Sequence, residues 1–186
     1  LQDNKYNNVT DLKNNLFGSF SATLKPFKWL SFSSTNTLTL TNVNTNDYLD
    51  SRTYSGNHSR NEMSNGVLKV DDERSWTFLT SNILRLQHSF GEHNLSGLVG
   101  QEWYERHTRS SHIEMYDQMI AGERNVGGFS KQGDKTNPAV IPTGAERESG
   151  SFSVFSEVNY NYAGKYMASA SFRTDGSTNF GKDNRY

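Results

Sequence analysis

"WLSFSSTNTLTLT", residues Trp29 to Thr41, is the stretch that decides the fold. Leu30, Phe32, Leu38 and Leu40 alternate with Ser31, Ser33, Thr35, Thr37, Thr39 and Thr41. Successive side chains of an extended chain point to opposite faces, so this run predicts a strand with one apolar face and one hydroxyl face. A strand of that kind needs two different surroundings.

The same period recurs along the chain. "NLFGSFSATL" (15–24) sets Leu16, Phe20, Ala22 and Leu24 against Phe17, Ser19, Ser21 and Thr23. "RSWTFLTSNILRLQHS" (74–89) sets Trp76, Phe78, Leu84 and Leu86 against Ser75, Thr77, Ser81, Arg85 and Gln87. "GSFSVFSEVNYNY" (150–162) and "YMASASFR" (166–173) repeat the pattern, with Glu157, Asn159 and Arg173 on their polar faces, whereas "NLSGLVGQEWYERH" (94–107) alternates poorly. Six strands are expected, at 15–24, 29–41, 74–89, 94–107, 150–162 and 166–173, and the fold class is all-β with antiparallel neighbours.

Composition narrows what those strands build. Only 33% of the 186 residues are hydrophobic, while Ser, Asn and Thr supply 58 of them. That is thin for a core closed on both sides, yet it suits strands with one face toward water or a polar lumen. Aromatics, at 12%, are too frequent for a disordered chain. A formal charge of -1 argues against a nucleic-acid partner, and the absence of cysteine excludes disulfide and thiolate chemistry. No apolar run reaches the roughly 18 residues of a membrane helix, and "LQDNKYNNVT" at the start has no signal-peptide pattern.

Connection lengths alternate. The expected links 25–28, 90–93 and 163–165 are tight turns, whereas 42–73 and 108–149 are long loops. Outer-membrane barrels have this asymmetry, with short turns on the periplasmic side and long loops outside. Aromatic placement agrees with it. Phe27, Trp29, Phe90, Tyr160, Tyr162 and Tyr166 gather at the short-turn end, and Trp76, Trp103 and Tyr104 at the other, as two girdles at head-group level would.

The closing segment "FSVFSEVNYNYAGKYMASASFRTDGSTNFGKDNRY" (152–186) resembles the barrel of SusC/RagA-type TonB-dependent receptors. The motif residues are Arg173, Asp175, Gly176, Ser177, Phe180, Gly181, Asn184, Arg185 and Tyr186; Asn179 departs from the pattern, standing where many relatives are basic. "FGEHNLSGLVGQEW" (90–103) is similar to another hairpin of these barrels. The resemblance implies that residues 1–186 form part of a 22-stranded transmembrane barrel, with the plug and the remaining strands outside this stretch. It also implies an outer-membrane importer of oligosaccharides or peptides in a Gram-negative bacterium. Its partners would be a SusD-like surface lipoprotein, TonB and membrane lipid. A soluble all-β binding module, such as a carbohydrate-binding or adhesin-like sandwich, is the rival; it would need a second sheet against Leu30, Phe32, Leu38 and Leu40.

Site chemistry is sparse. His58, His88, His93, His107 and His112 lack acidic or sulfur partners at metal spacing, so no metal is expected, and no cofactor. "GFSKQG" (128–133) has the wrong spacing for a nucleophile elbow, so no catalytic residue is expected. "NVGGFSKQG" (125–133) reads as a flexible loop, and "HIEMYDQMIAGE" (112–123) as a short helix inside the second long loop. Arg85, Gln87, Glu157, Asn159 and Arg173, on the polar faces, are expected either to pack against a plug or to line a solute path.

Overall fold

The computed structural model describes residues 3–58, 65–132 and 141–179. Its strands are β1 (Asn8–Phe27), β2 (Leu30–Leu49), β3 (Val67–Phe90), β4 (His93–Gln118), β5 (Phe129–Gln132), β6 (Thr143–Tyr162) and β7 (Tyr166–Ser177). Two short helices, α1 (Asp3–Tyr6) and α2 (Tyr54–His58), and one 3-10 turn at Val126–Gly128 complete the described elements. The strands form one sheet in the order β1-β2-β3-β4-β6-β7, and β5 pairs with β4.

Each expected strand has an observed counterpart, but the two long loops are shorter than expected. β2 runs on to Leu49, β3 begins at Val67, β4 reaches Gln118 and β6 begins at Thr143, so the long connections shrink to 50–66 and 119–142. The helix expected over 112–123 is corrected: Met115, Tyr116 and Gln118 pair with Gln132, Lys131 and Phe129 of β5. The glycine-rich loop is corrected too, since it carries the 3-10 turn and β5. His112 accordingly sits on β4 rather than in a loop.

Tight turns need unusual backbone angles. Gly91 has φ 60°, and Ala163 and Gly164 turn the chain into β7 with φ 51° and 70°. Two successive positive φ values match the twist of a hairpin, and glycine or asparagine takes them at least cost. The Gly164 N–H donates to the Asn161 side chain at 2.9 Å, and the Ala163 N–H to the Glu92 carbonyl at 2.8 Å.

Two compact units divide the chain. One holds 16–40, 76–107 and 148–186; the other holds 1–15, 41–75 and 108–147. The first contains no buried hydrophobic residue among those described. Its sheet leaves Phe20 69%, Leu24 66% and Phe172 62% exposed. Across its other face, hydroxyls pair between β1 and β2: Ser19–Thr37 at 3.1 Å, Ser21–Thr35 at 3.0 Å and Thr23–Ser33 at 3.2 Å. The faces are therefore chemically distinct before any partner is considered.

The second unit has a small core of Tyr48, Leu68, Met115 and Phe129, with Val70 and Ile113 packed on it. Asp50, fully buried, organises the chain beside it. Its carboxylate accepts from the Tyr48 hydroxyl at 2.7 Å, the Arg52 backbone N–H at 2.9 Å, and the Arg52 side chain at 2.8 and 2.7 Å. Gln118 ties in the other connection: its Oε1 accepts from the Ser51 N–H at 3.0 Å, and its Nε2 donates to the Glu123 carbonyl at 3.0 Å and to the Tyr48 hydroxyl. Both long connections thus begin from one buried polar knot.

Candidate functional site

The polar face of β3, β4, β6 and β7 gathers the candidate residues. Arg85, Gln87, Glu157 and Asn159 line one recess with Ser96 and Leu98, of about 160 Å³. Beside it, Gln87, Asn94, Asn159, Asn161 and Ser169 share a larger hollow of about 430 Å³. Strand alternation explains the gathering: Arg85 and Gln87 on β3, Asn94, Ser96 and Leu98 on β4, and Glu157, Asn159 and Asn161 on β6 each keep one parity along their own strand and so one face. Glu157 sits opposite Ser171, and Asn159 opposite Ser169. The walls mix amides and hydroxyls, one cation and one carboxylate with apolar groups such as Leu95, Leu98 and Met167, which suits hydrogen-bonding ligands or a polypeptide backbone.

Arg173 anchors a second cluster on the same face. Its guanidinium reaches Asp175 at 2.8 Å and Glu102 at 3.4 Å, and lies 5.5 Å from the Phe155 ring centre. Phe155 sits directly opposite Arg173 in the β6–β7 register. Space for that ring comes from Gly100, where an added Cβ would lie 2.2 Å from it. Gly176 is opposite Phe152 and Ser177 opposite Ser151, so both belong to the β6–β7 ladder. Phe180, Gly181, Asn184, Arg185 and Tyr186 lie outside the described residues.

At the short-turn end the aromatic rings form a row. Phe27 stacks on Trp29 at 5.2 Å, Trp29 meets His88 edge-on at 6.5 Å, His88 stacks on Phe90, and Phe90 on His93 at 5.0 Å. The row continues through Tyr162, 4.7 Å from His93, to Tyr166, and Tyr160 bonds the His93 Nδ1 at 2.6 Å. His88 and His93 are thus members of the row, and only their pairing across strands reveals it. Away from those turns, Trp76 lies flat against His107 at 6.0 Å and Trp103 is 49% exposed. Tyr104 follows Trp103 on β4, so alternation sends it to the opposite, polar face and out of Trp103's band. Among the described residues no three His, Cys, Asp or Glu side chains gather as a metal site would require.

No family model matches the chain. Over 111 residues, 58% of this chain and 10% of the relative, it is 36% identical to "TonB-dependent receptor P3" of Formosa agariphila. The RagAB peptide transporter superposes on 97% of this chain and 19% of its own, with TM-score 0.81 and 18% identity. The RagAB peptide importer in its "open-open" state does so with TM-score 0.76 and 20% identity, again over 97% and 19%. The chain therefore spans between a tenth and a fifth of the length of these relatives. They are receptors and transporters, not enzymes. In sequence the chain is thus similar to a TonB-dependent receptor, and its sheet has the fold of the matching part of the RagAB transporter.

Proposed function

We propose that this sheet is one wall of an outer-membrane barrel of 22 strands that imports oligosaccharides or peptides under the control of TonB. A SusD-like surface lipoprotein takes the substrate at the mouth. The observation that carries the reading is the bare apolar face, with a row of aromatic rings at the short turns and the Trp76–His107 stack away from them. No second sheet covers that face among the described residues, and hydrocarbon is the solvent such a face fits. The polar face then looks into the lumen, where Arg85, Gln87, Glu157, Asn159 and Arg173 meet the plug. RagAB is a peptide transporter, and amides and hydroxyls like those around Asn159 and Ser169 bond a peptide backbone as readily as a sugar. The test is uptake by cells lacking the receptor. Loss of growth on one oligosaccharide or peptide mixture, restored by the receptor and abolished by disabling TonB, supports import. Recovery of the full receptor in the aqueous fraction without detergent contradicts it and favours a soluble binding module.

A further inference from the structure

One stretch of the polar face carries no charge. On β1 it presents Ser19, Ser21 and Thr23 between Phe17 and Lys25, and on β2 it presents Ser31, Ser33, Thr35, Thr37 and Thr39. Three cross-strand pairs, Ser19–Thr37, Ser21–Thr35 and Thr23–Ser33, follow one another like rungs. The strands β4, β6 and β7 differ. Their part of the same face holds Glu102, Glu157, Arg173 and Asp175, with Arg173 bridging Glu102 and Asp175.

One face thus offers two chemistries. Ion pairs fix a partner in one place, because each charge needs its counter-charge at a set position. Hydroxyls hold a partner loosely. Within a rung one hydroxyl donates and the other accepts, which leaves the rung one O–H donor and spare lone pairs. It therefore meets a carbonyl or an N–H equally well. Rungs recur at every second residue, about 6.6 to 6.8 Å along the strand. An extended peptide has the same repeat, since its carbonyls on one side also recur at every second residue. The repeat of a glycan is set by its rings and linkages instead. A peptide lying along β1 and β2 keeps one register with all three rungs, and after sliding by two residues it meets the same contacts again. Contacts that are weak, several and repeating are what passage requires.

We infer that the hydroxyl rungs of β1 and β2 are a track along which the receptor passes an extended peptide, while the charged part of the face on β4, β6 and β7 holds the plug. The inference rests on the membrane-barrel reading above and, of its two classes of cargo, selects the peptide. Recognition is through the main chain, so peptides of differing sequence share the track.

The experiment uses the full-length receptor in the outer membrane of energised cells, in a background without other cysteines. Thr35→Cys places a thiol on the middle rung, Ser171→Cys one on the charged part of the face, and Leu84→Cys one on the apolar face. Each is treated with a hydrophilic maleimide in three forms: free, attached to a neutral peptide of alanine and serine, and attached to a glucose oligomer of similar length. Thr35→Cys should react with the free reagent about tenfold faster than Ser171→Cys, which the plug covers. At Thr35→Cys the peptide form should react about tenfold faster than the glucose form. Equal rates at Ser171→Cys and Thr35→Cys, or a protected Thr35→Cys, overturn the division of the face. Equal labelling by the two conjugates, or faster labelling by the glucose form, overturns the peptide assignment. If Thr35→Cys fails to fold, Ser21→Cys on the same rung takes its place. Leu84→Cys should stay unlabelled, and its ready reaction with the free reagent would sink the barrel reading itself. Protection of both Leu84→Cys and Thr35→Cys sinks only this inference.

Discussion

The hydroxyl of Tyr48 is 2.7 Å from the carboxylate of Asp50, and both residues are buried where β2 ends. Through Arg52 and Gln118 that pair fixes the start of both long connections. Tyr48→Phe leaves the ring in place against Phe129 and removes one bond to a buried charge, a loss of about 1.5 to 3 kcal/mol to this unit. The expected outcome is faster protease cleavage within 50–66 and 119–142, with the hairpin of β6 and β7 unaffected.

The Arg52 side chain, more than any other group, holds the Asp50 carboxyl well below the usual carboxylate range, against the opposing effect of burial. A depressed folded value means the unfolded state binds the proton first. The stabilisation is therefore complete above the ordinary value of about 3.9 and is lost as pH falls below it. Protease resistance of the long connections should hold down to about pH 4 and decline in more acid solution. In Asp50→Asn that decline should disappear, with lower resistance at neutral pH.

Ala163 holds a φ of 51°, a conformation that costs a residue with a Cβ about 1 to 2 kcal/mol. Ala163→Gly should raise the thermal stability of the receptor by about 1 kcal/mol or slightly less, because glycine also gains freedom in the unfolded chain. Gly164→Ala should lower it, since its φ is 70°. Thermal melts of the two variants, moving in opposite directions, check this.

Gly100 leaves room for the ring of Phe155 beneath Arg173. Gly100→Leu should displace that ring, loosen the Arg173 contacts to Glu102 and Asp175, and cost about 1 to 3 kcal/mol as an overpacked site does. Pairing it with Phe155→Ala should recover part of the loss. A double-mutant cycle on folding stability in detergent micelles measures that recovery, and purely additive losses would show that the two residues do not share the space.

The strands were legible in sequence where one face is apolar and the other polar, as in Leu30 to Thr41. They were not legible further along, because polar residues stand on both faces there and the apolar ones, Tyr48, Leu68, Val70, Ile113 and Met115, keep no long alternation. Asn44 bonds Asp72 at 2.7 Å, His112 bonds Asp71 at 2.6 Å and Arg109 meets Glu146 at 3.4 Å, all across strands. Those pairs stabilise a ladder without leaving any apolar period, so the same residues read as loop. The helix expected from Ile113, Tyr116 and Ile120 failed for a related reason. Met115 and Ile113 belong to a core with Tyr48 and Phe129, and pairing with β5 outweighs a weak helical spacing. On the polar face, Arg85, Gln87, Glu157 and Asn159 were found by alternation alone, whereas Glu102, Phe155 and Gly100 emerge only from the register that joins β4, β6 and β7.

Topology follows from the turns. With the short connections on the periplasmic side, a cysteine within 50–57 or 119–128 should react with an impermeant label on intact cells, and one at Lys165 should not. Labelling at Lys165 alone would invert the orientation while leaving the barrel intact.

Leu84 and Arg85 test the two-face account most directly, because they are adjacent on β3 and only their direction differs. Leu84 is 44% exposed on the apolar face, and Arg85 lines the polar recess with Glu157. Folding stability of the full receptor is measured in liposomes for each variant. Leu84→Arg places a charge in hydrocarbon and should cost about 2 to 4 kcal/mol near the midplane. Arg85→Leu should cost less, with its effect falling on uptake. A tolerated Leu84→Arg beside a barrel that fails to fold with Arg85→Leu would contradict the assignment of lipid and lumen faces.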